Sequence, residues 1–105
     1  MKAILVHETG GPEKLQLCDV PQPQAAPGYA VVRLQAIGVN FIDIYFRTGL
    51  YKSDLPVVLG MEGAGVVESV GEGVTEVAPG DRVAYAMPRG SYAEYHSVPA
   101  WQLVK

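Results

Sequence analysis

Gly60-Met61-Glu62-Gly63-Ala64-Gly65-Val66-Val67-Glu68-Ser69-Val70 closes an apolar run that begins at Val57, and its reading decides the fold. Three glycines stand two or three apart among residues that favour strands. A strand with that many glycines bends sharply or lies against another backbone. Residues 57–70 are therefore read as a bent strand, ended by the turn Gly71-Glu72-Gly73. Upstream, Lys2 to Val6 reads as a first strand, Gly10-Gly11-Pro12 as a turn, and Leu15 to Val20 as a second strand by alternation. Pro21 to Pro27 holds three prolines and is an extended connector. Tyr29 to Val39 is a long strand with Val32, Leu34 and Ala36 on one face. Downstream, Pro79-Gly80-Asp81 is a turn and Arg82 to Ala86 a strand. Ser91 to Val98 alternates Tyr92, Glu94 and His96 against Ala93, Tyr95 and Ser97, and Trp101 to Val104 starts one more strand.

Between the two long strands the period changes. Asn40 is a good N-cap, Asp43 sits at the third helical position and Gly49 ends the pattern, so a short helix is predicted near 40–48. Asp43 and Arg47 are four residues apart and are expected to pair on one face. Many short strands with one short helix imply a mainly-β, partly open barrel. Strands do not alternate with long helices, which argues against a doubly wound nucleotide fold.

Almost half of the 105 residues are apolar and 18% are charged, a globular balance. The net charge of −3 and the absence of basic runs give no electrostatic footprint for nucleic acid or anionic lipid. Cys18 is the single cysteine, which excludes an internal disulfide or a multi-cysteine zinc site. It is expected to be a buried, inert thiol. No apolar stretch has the length of a signal peptide or a membrane span, so a cytoplasmic domain is expected.

Three segments add a resemblance. Gly60-Met61-Glu62-Gly63 through Gly71 and Val74 resembles the zinc signature of medium-chain alcohol dehydrogenases, except that Met61 stands where that family has a zinc-binding histidine. Ala36-Ile37-Gly38-Val39-Asn40-Phe41-Ile42-Asp43 resembles the stretch carrying that family's first metal-binding cysteine, with Asn40 in its place. Gly80-Asp81-Arg82-Val83 is similar to a turn-strand element of the same superfamily. A thioether and an amide are poor zinc ligands, so no zinc is expected. His7 and His96 lie outside these motifs and are read as surface or sheet-face residues, Met61 as packing, and Glu62 as a local cap or salt-bridge partner.

Within the superfamily, Asn40-x-x-Asp43-x-Tyr45-x-Arg47-x-Gly49-x-Tyr51 looks most like the zinc-independent quinone oxidoreductases, the zeta-crystallin-like branch. The resemblance implies a GroES-like catalytic domain over 1–105, belonging to a longer two-domain enzyme whose Rossmann domain is absent here. No glycine fingerprint in a strand-turn-helix setting is present. It implies hydride transfer from NADPH to a quinone or activated alkene, in a homodimer or homotetramer, with the isolated chain inactive. Tyr45 and Tyr51 are the implied catalytic donors, lining the cleft near the nicotinamide. Asn40, Asp43, Tyr45 and Arg47 are the implied cofactor contacts. An enoyl or alkenal reductase of the same superfamily and a non-catalytic, crystallin-like structural or binding protein are the alternatives. A stand-alone co-chaperonin domain is disfavoured by the zinc-type signature.

Overall fold

Valine, isoleucine and tyrosine between glycine and proline breaks form seven strands in the computed structural model, which describes residues 1–105. They are β1 (Lys2–Val6), β2 (Gln16–Asp19), β3 (Tyr29–Gly38), β4 (Val57–Val58), β5 (Glu62–Val70), β6 (Arg82–Ala86) and β7 (Tyr95–Pro99). One helix, α1 (Phe41–Thr48), and two short 3₁₀ turns complete the chain. The strands form a three-stranded sheet, β2-β1-β4, and a four-stranded sheet, β6-β5-β3-β7. Every pairing is antiparallel. The sheets meet where the Ile4 amide donates to the Tyr92 carbonyl at 2.8 Å and the Glu94 amide donates to the Lys2 carbonyl at 3.1 Å. They do not close, so the expected mainly-β, partly open barrel with one short helix is what the chain forms.

The glycine-rich segment is the corner of this barrel. It is not one bent strand. Gly60 has φ +102°, and the chain leaves one sheet and enters the other around it. β4 pairs with β1 in the small sheet, whereas β5 lies between β3 and β6 in the large one. At Gly65 a side-chain carbon would land on the Arg33 carbonyl oxygen of the neighbouring strand, closer than any van der Waals contact. The close backbone approach that glycines imply in a strand is therefore present here.

β3 buries three residues in succession, Ala30, Val31 and Val32. A register shift between Val31 and Val32 against β5 breaks the alternation that the sequence suggests. Of the expected face, Val32 is fully buried, Leu34 is half-buried and Ala36 is exposed. Val32 packs with Val67, Val83, Tyr85 and Val98 in the main core, between the four strands of the large sheet.

Other expectations are corrected. Ser91 to Glu94 is not a strand: the Ser91 and Tyr92 amides donate to the carbonyls of Gly60 (3.2 Å) and Leu59 (2.9 Å), and Ala93 makes only an isolated bridge, to Ala3. Trp101 to Val104 does not open a strand. Ala100–Gln102 form a 3₁₀ turn, and only Val104 bridges to Ala84. Cys18 is half-buried on β2, an edge strand, and is not a core thiol. No helix is long and apolar enough to cross a membrane.

Candidate active site

β3 ends at Gly38, and the chain turns through Asn40, which caps α1 in an extended conformation. Asp43 supplies the returning half of a capping box. Its Oδ2 accepts the Asn40 amide at 3.0 Å, while the Asp43 amide donates to the Asn40 carbonyl at 3.0 Å. The Asn40 side chain also reaches elsewhere: its Nδ2 donates to Glu62 Oε2 at 3.2 Å. Glu62 is the register partner of Gly38 across β3 and β5. A side-chain carbon at Gly38 would occupy the space of the Glu62 carboxyl, so glycine there lets Glu62 fold across to Asn40.

Asp43 does not pair with Arg47. Its carboxyl is turned inward, 4% exposed, and Oδ2 also accepts the Tyr92 hydroxyl at 2.7 Å. Arg47 instead donates from Nε to the Gly10 carbonyl at 3.3 Å, while the Gly10 amide donates to the Arg47 carbonyl at 2.9 Å. This ties the end of α1 to the loop after β1. Asp43 Oδ1 is buried with no partner. At 4% exposure the Asp43 side chain is turned into the chain and presents almost no surface of its own. Burial, and then the Asp43 carboxylate, hold the Tyr92 phenol well above its ordinary range.

Tyr45 and Tyr51 are brought together. Their ring centroids are 5.3 Å apart, edge to face, and the Tyr51 amide donates to the Tyr45 carbonyl at 3.1 Å. Tyr51 also meets Phe46 edge-on at 5.7 Å, and the Arg89 guanidinium lies 4.2 Å above the Phe46 ring. Tyr45 and Tyr51 are 36% and 46% exposed. The tyrosine hydroxyls bonded within the chain are those of Tyr85 and Tyr92, which leaves Tyr45 and Tyr51 as available donors. Tyr51 lines a cavity of about 640 Å³, and Glu62 and Gly38 line a hollow of about 360 Å³ along β3, β5 and β6. Asn40 and Tyr45 are separated by roughly 7 Å of helix axis at 1.5 Å per residue.

Sequence reasoning missed three features. Tyr85, in the core, bonds the fully buried Ser91 hydroxyl at 2.6 Å and His96 Nδ1 at 2.8 Å. Burial raises the Tyr85 phenol and lowers the His96 imidazole from their usual ranges. Tyr92 and Arg89 are the others, and neither carries a local signal. Tyr92 reaches a carboxylate 49 positions away, and Arg89 reaches an aromatic ring on α1.

Asn40 brings a neutral amide and Met61 a thioether, both poor ligands for zinc, so the donor set at these two positions is a weak fit for that ion.

The chain matches the alcohol dehydrogenase GroES-like domain over residues 26–105, and it belongs to that family. It is 50% identical to a quinone oxidoreductase of Pseudomonas aeruginosa, over 98% of this chain and 32% of that protein. A 2-haloacrylate reductase of Burkholderia is 40% identical over 98% of this chain and 32% of that protein. The crystal structure of Escherichia coli quinone oxidoreductase complexed with NADPH superposes with a TM-score of 0.96 at 42% identity, covering 99% of this chain and 32% of that one. The chain thus spans about a third of the length of the curated relatives it matches.

Proposed function

We propose that residues 1–105 form the catalytic-domain portion of a two-domain NADPH-dependent quinone oxidoreductase that works without zinc. The observation that carries this reading is the pair Tyr45 and Tyr51, packed edge to face with free hydroxyls, with Tyr45 on a helix whose cap carries Asn40, the position that in the resembling zinc-dependent enzymes carries a metal ligand. The relatives named quinone oxidoreductase, and the NADPH complex of one of them, support it.

When bound, NADPH supplies the hydride, and a quinone takes it up with one proton to become a hydroquinone. The chain's own residues hold and polarise. Tyr45 and Tyr51 donate hydrogen bonds to the acceptor oxygen as negative charge develops there, the task a metal performs in the zinc enzymes. Asn40, oriented through Glu62, offers its amide to a carboxamide or ribose hydroxyl. Asp43 acts through Asn40, fixing its backbone, and does not touch the cofactor. Arg47 fixes the far end of α1 to the Gly10 loop. Most of the cofactor is bound by a further domain, so the isolated 105-residue chain is inactive. The longer protein is a cytoplasmic homodimer or homotetramer.

A second reading is reduction of an activated alkene, favoured by the similarity to a 2-haloacrylate reductase. NADPH oxidation by the longer protein, with 9,10-phenanthrenequinone against an enone, tests both. Turnover with the quinone, weakened by Tyr45→Phe and Tyr51→Phe, supports the first. Turnover with the enone alone supports the second, and turnover with neither removes both.

A further inference from the structure

The cavity of about 640 Å³ beside Tyr51 has the size of a small-molecule site. Lys52 and Arg89 line it together with Phe46, Ser53 and a single acid, Asp54. Its lining is therefore cationic on a chain whose net charge is −3. The four ion pairs of the molecule join Lys2 to Asp19, Lys14 to Glu8, Arg33 to Glu68 and Lys105 to Asp81. Neither Lys52 nor Arg89 is among them. Stacking on Phe46 orients the Arg89 guanidinium without neutralising it.

Arg89 is also held in place by its neighbours. The Met87 amide donates to the Met61 carbonyl at 2.6 Å, and the Gly90 amide donates to the Gly60 carbonyl at 2.9 Å. The buried Ser91 hydroxyl is bonded to Tyr85. The residue is fixed on both sides by the glycine corner of the barrel. Tyr51 touches Phe46 at 5.7 Å and Phe46 carries the guanidinium at 4.2 Å. These contacts in series place the cation within the length of a substituted polycyclic quinone from the Tyr51 ring.

We propose that this cavity selects acceptors bearing an anionic substituent, a carboxylate or sulfonate. Arg89 and Lys52 hold the anion while the reducible carbonyl reaches Tyr51. A guanidinium pairs with such groups through two N–H donors, which gives orientation as well as attraction. The proposal rests on the quinone-reductase reading for the identity of the acceptor, but its binding is measurable without turnover. An oxyanion at the site has a second source, the cofactor phosphates, and the test separates the two.

Equilibrium binding of anthraquinone-2-sulfonate and of neutral 2-(hydroxymethyl)anthraquinone is measured by calorimetry on the longer protein that carries this chain. The sulfonate is expected to bind roughly five- to tenfold more tightly, as two partly exposed charge pairs allow. That preference is expected to shrink in high salt. Arg89→Gln and Lys52→Gln, both at exposed positions, each reduce the preference toward one, and Arg89→Lys retains part of it. Equal binding of the two compounds, or a preference that survives both glutamine variants, overturns the proposal. So does a loss of NADPH affinity in those variants with the preference intact, which assigns the cations to the cofactor. A sulfonate preference in a protein that reduces no quinone upholds the anion site and removes the reductase reading instead.

Discussion

Replacing Tyr92 with phenylalanine removes one hydroxyl and tests how α1 is held. That hydroxyl donates to Asp43 Oδ2 at 2.7 Å, and Asp43 is 4% exposed. The other carboxyl oxygen, Oδ1, already lacks a partner. After Tyr92→Phe the carboxylate keeps only the Asn40 amide. Hydrogen bonds to charged groups contribute about 1.5–3 kcal/mol, and loss of one partner leaves the remaining buried group uncompensated. Tyr92 itself is half-buried, so water reaching the vacated side offsets part of the loss, and about 2 kcal/mol is expected. In a domain of about 100 residues each kcal/mol shifts Tm by roughly 4–8 °C, so Tm falls by roughly 8–16 °C. Urea and thermal unfolding of wild type and variant read this directly. The same variant lowers kcat, because Asp43 then fixes the Asn40 backbone less firmly. A stability change below about 0.5 kcal/mol, the range of neutral surface substitutions, refutes the claim that Tyr92 anchors Asp43.

Gly65→Ala is expected to cost about 3 kcal/mol or more, read as a lower urea midpoint, because the new methyl group meets the Arg33 backbone carbonyl and neither can yield cheaply. His96 titrates below its usual range in the fold, so its contribution is fully present above about pH 6.5 and is lost as pH falls below it. Urea midpoints between pH 7.5 and 5 should decline, less steeply in His96→Gln. Tyr85 and Tyr92 titrate above the ordinary phenol value, so their contribution is complete below about pH 10 and is lost as pH rises beyond it. Alkaline titration of Tyr92→Phe is expected to show a shallower loss than wild type. Tyr45→Phe and Tyr51→Phe each lower kcat roughly tenfold to a hundredfold, less than the loss of a sole oxyanion donor because each tyrosine backs the other.

Much of the fold was legible because its signals are local. Asn40, Asp43 and Gly49 mark the helix by cap chemistry alone, and α1 runs between the two caps as read. The glycines at 60, 63 and 65 announced a bend or a close backbone approach, and both occur. What the sequence hid depends on tertiary placement. A register shift at Val31 and Val32 let β3 bury successive residues, and no periodicity contains that information. Spacing suggested Asp43 with Arg47, but a half-buried tyrosine hydroxyl and a backbone amide took the carboxylate, and the guanidinium found a backbone carbonyl. The residues of the candidate site came from a motif, whereas Tyr92 and Arg89 became visible only when distant loops were brought against α1.

The most direct test follows NADPH absorbance in the longer protein carrying this chain, with 9,10-phenanthrenequinone as acceptor, before and after exhaustive treatment with a zinc chelator. The account predicts quinone-dependent oxidation at an unchanged rate after chelation. Activity that disappears with the chelator and returns with added zinc would contradict it.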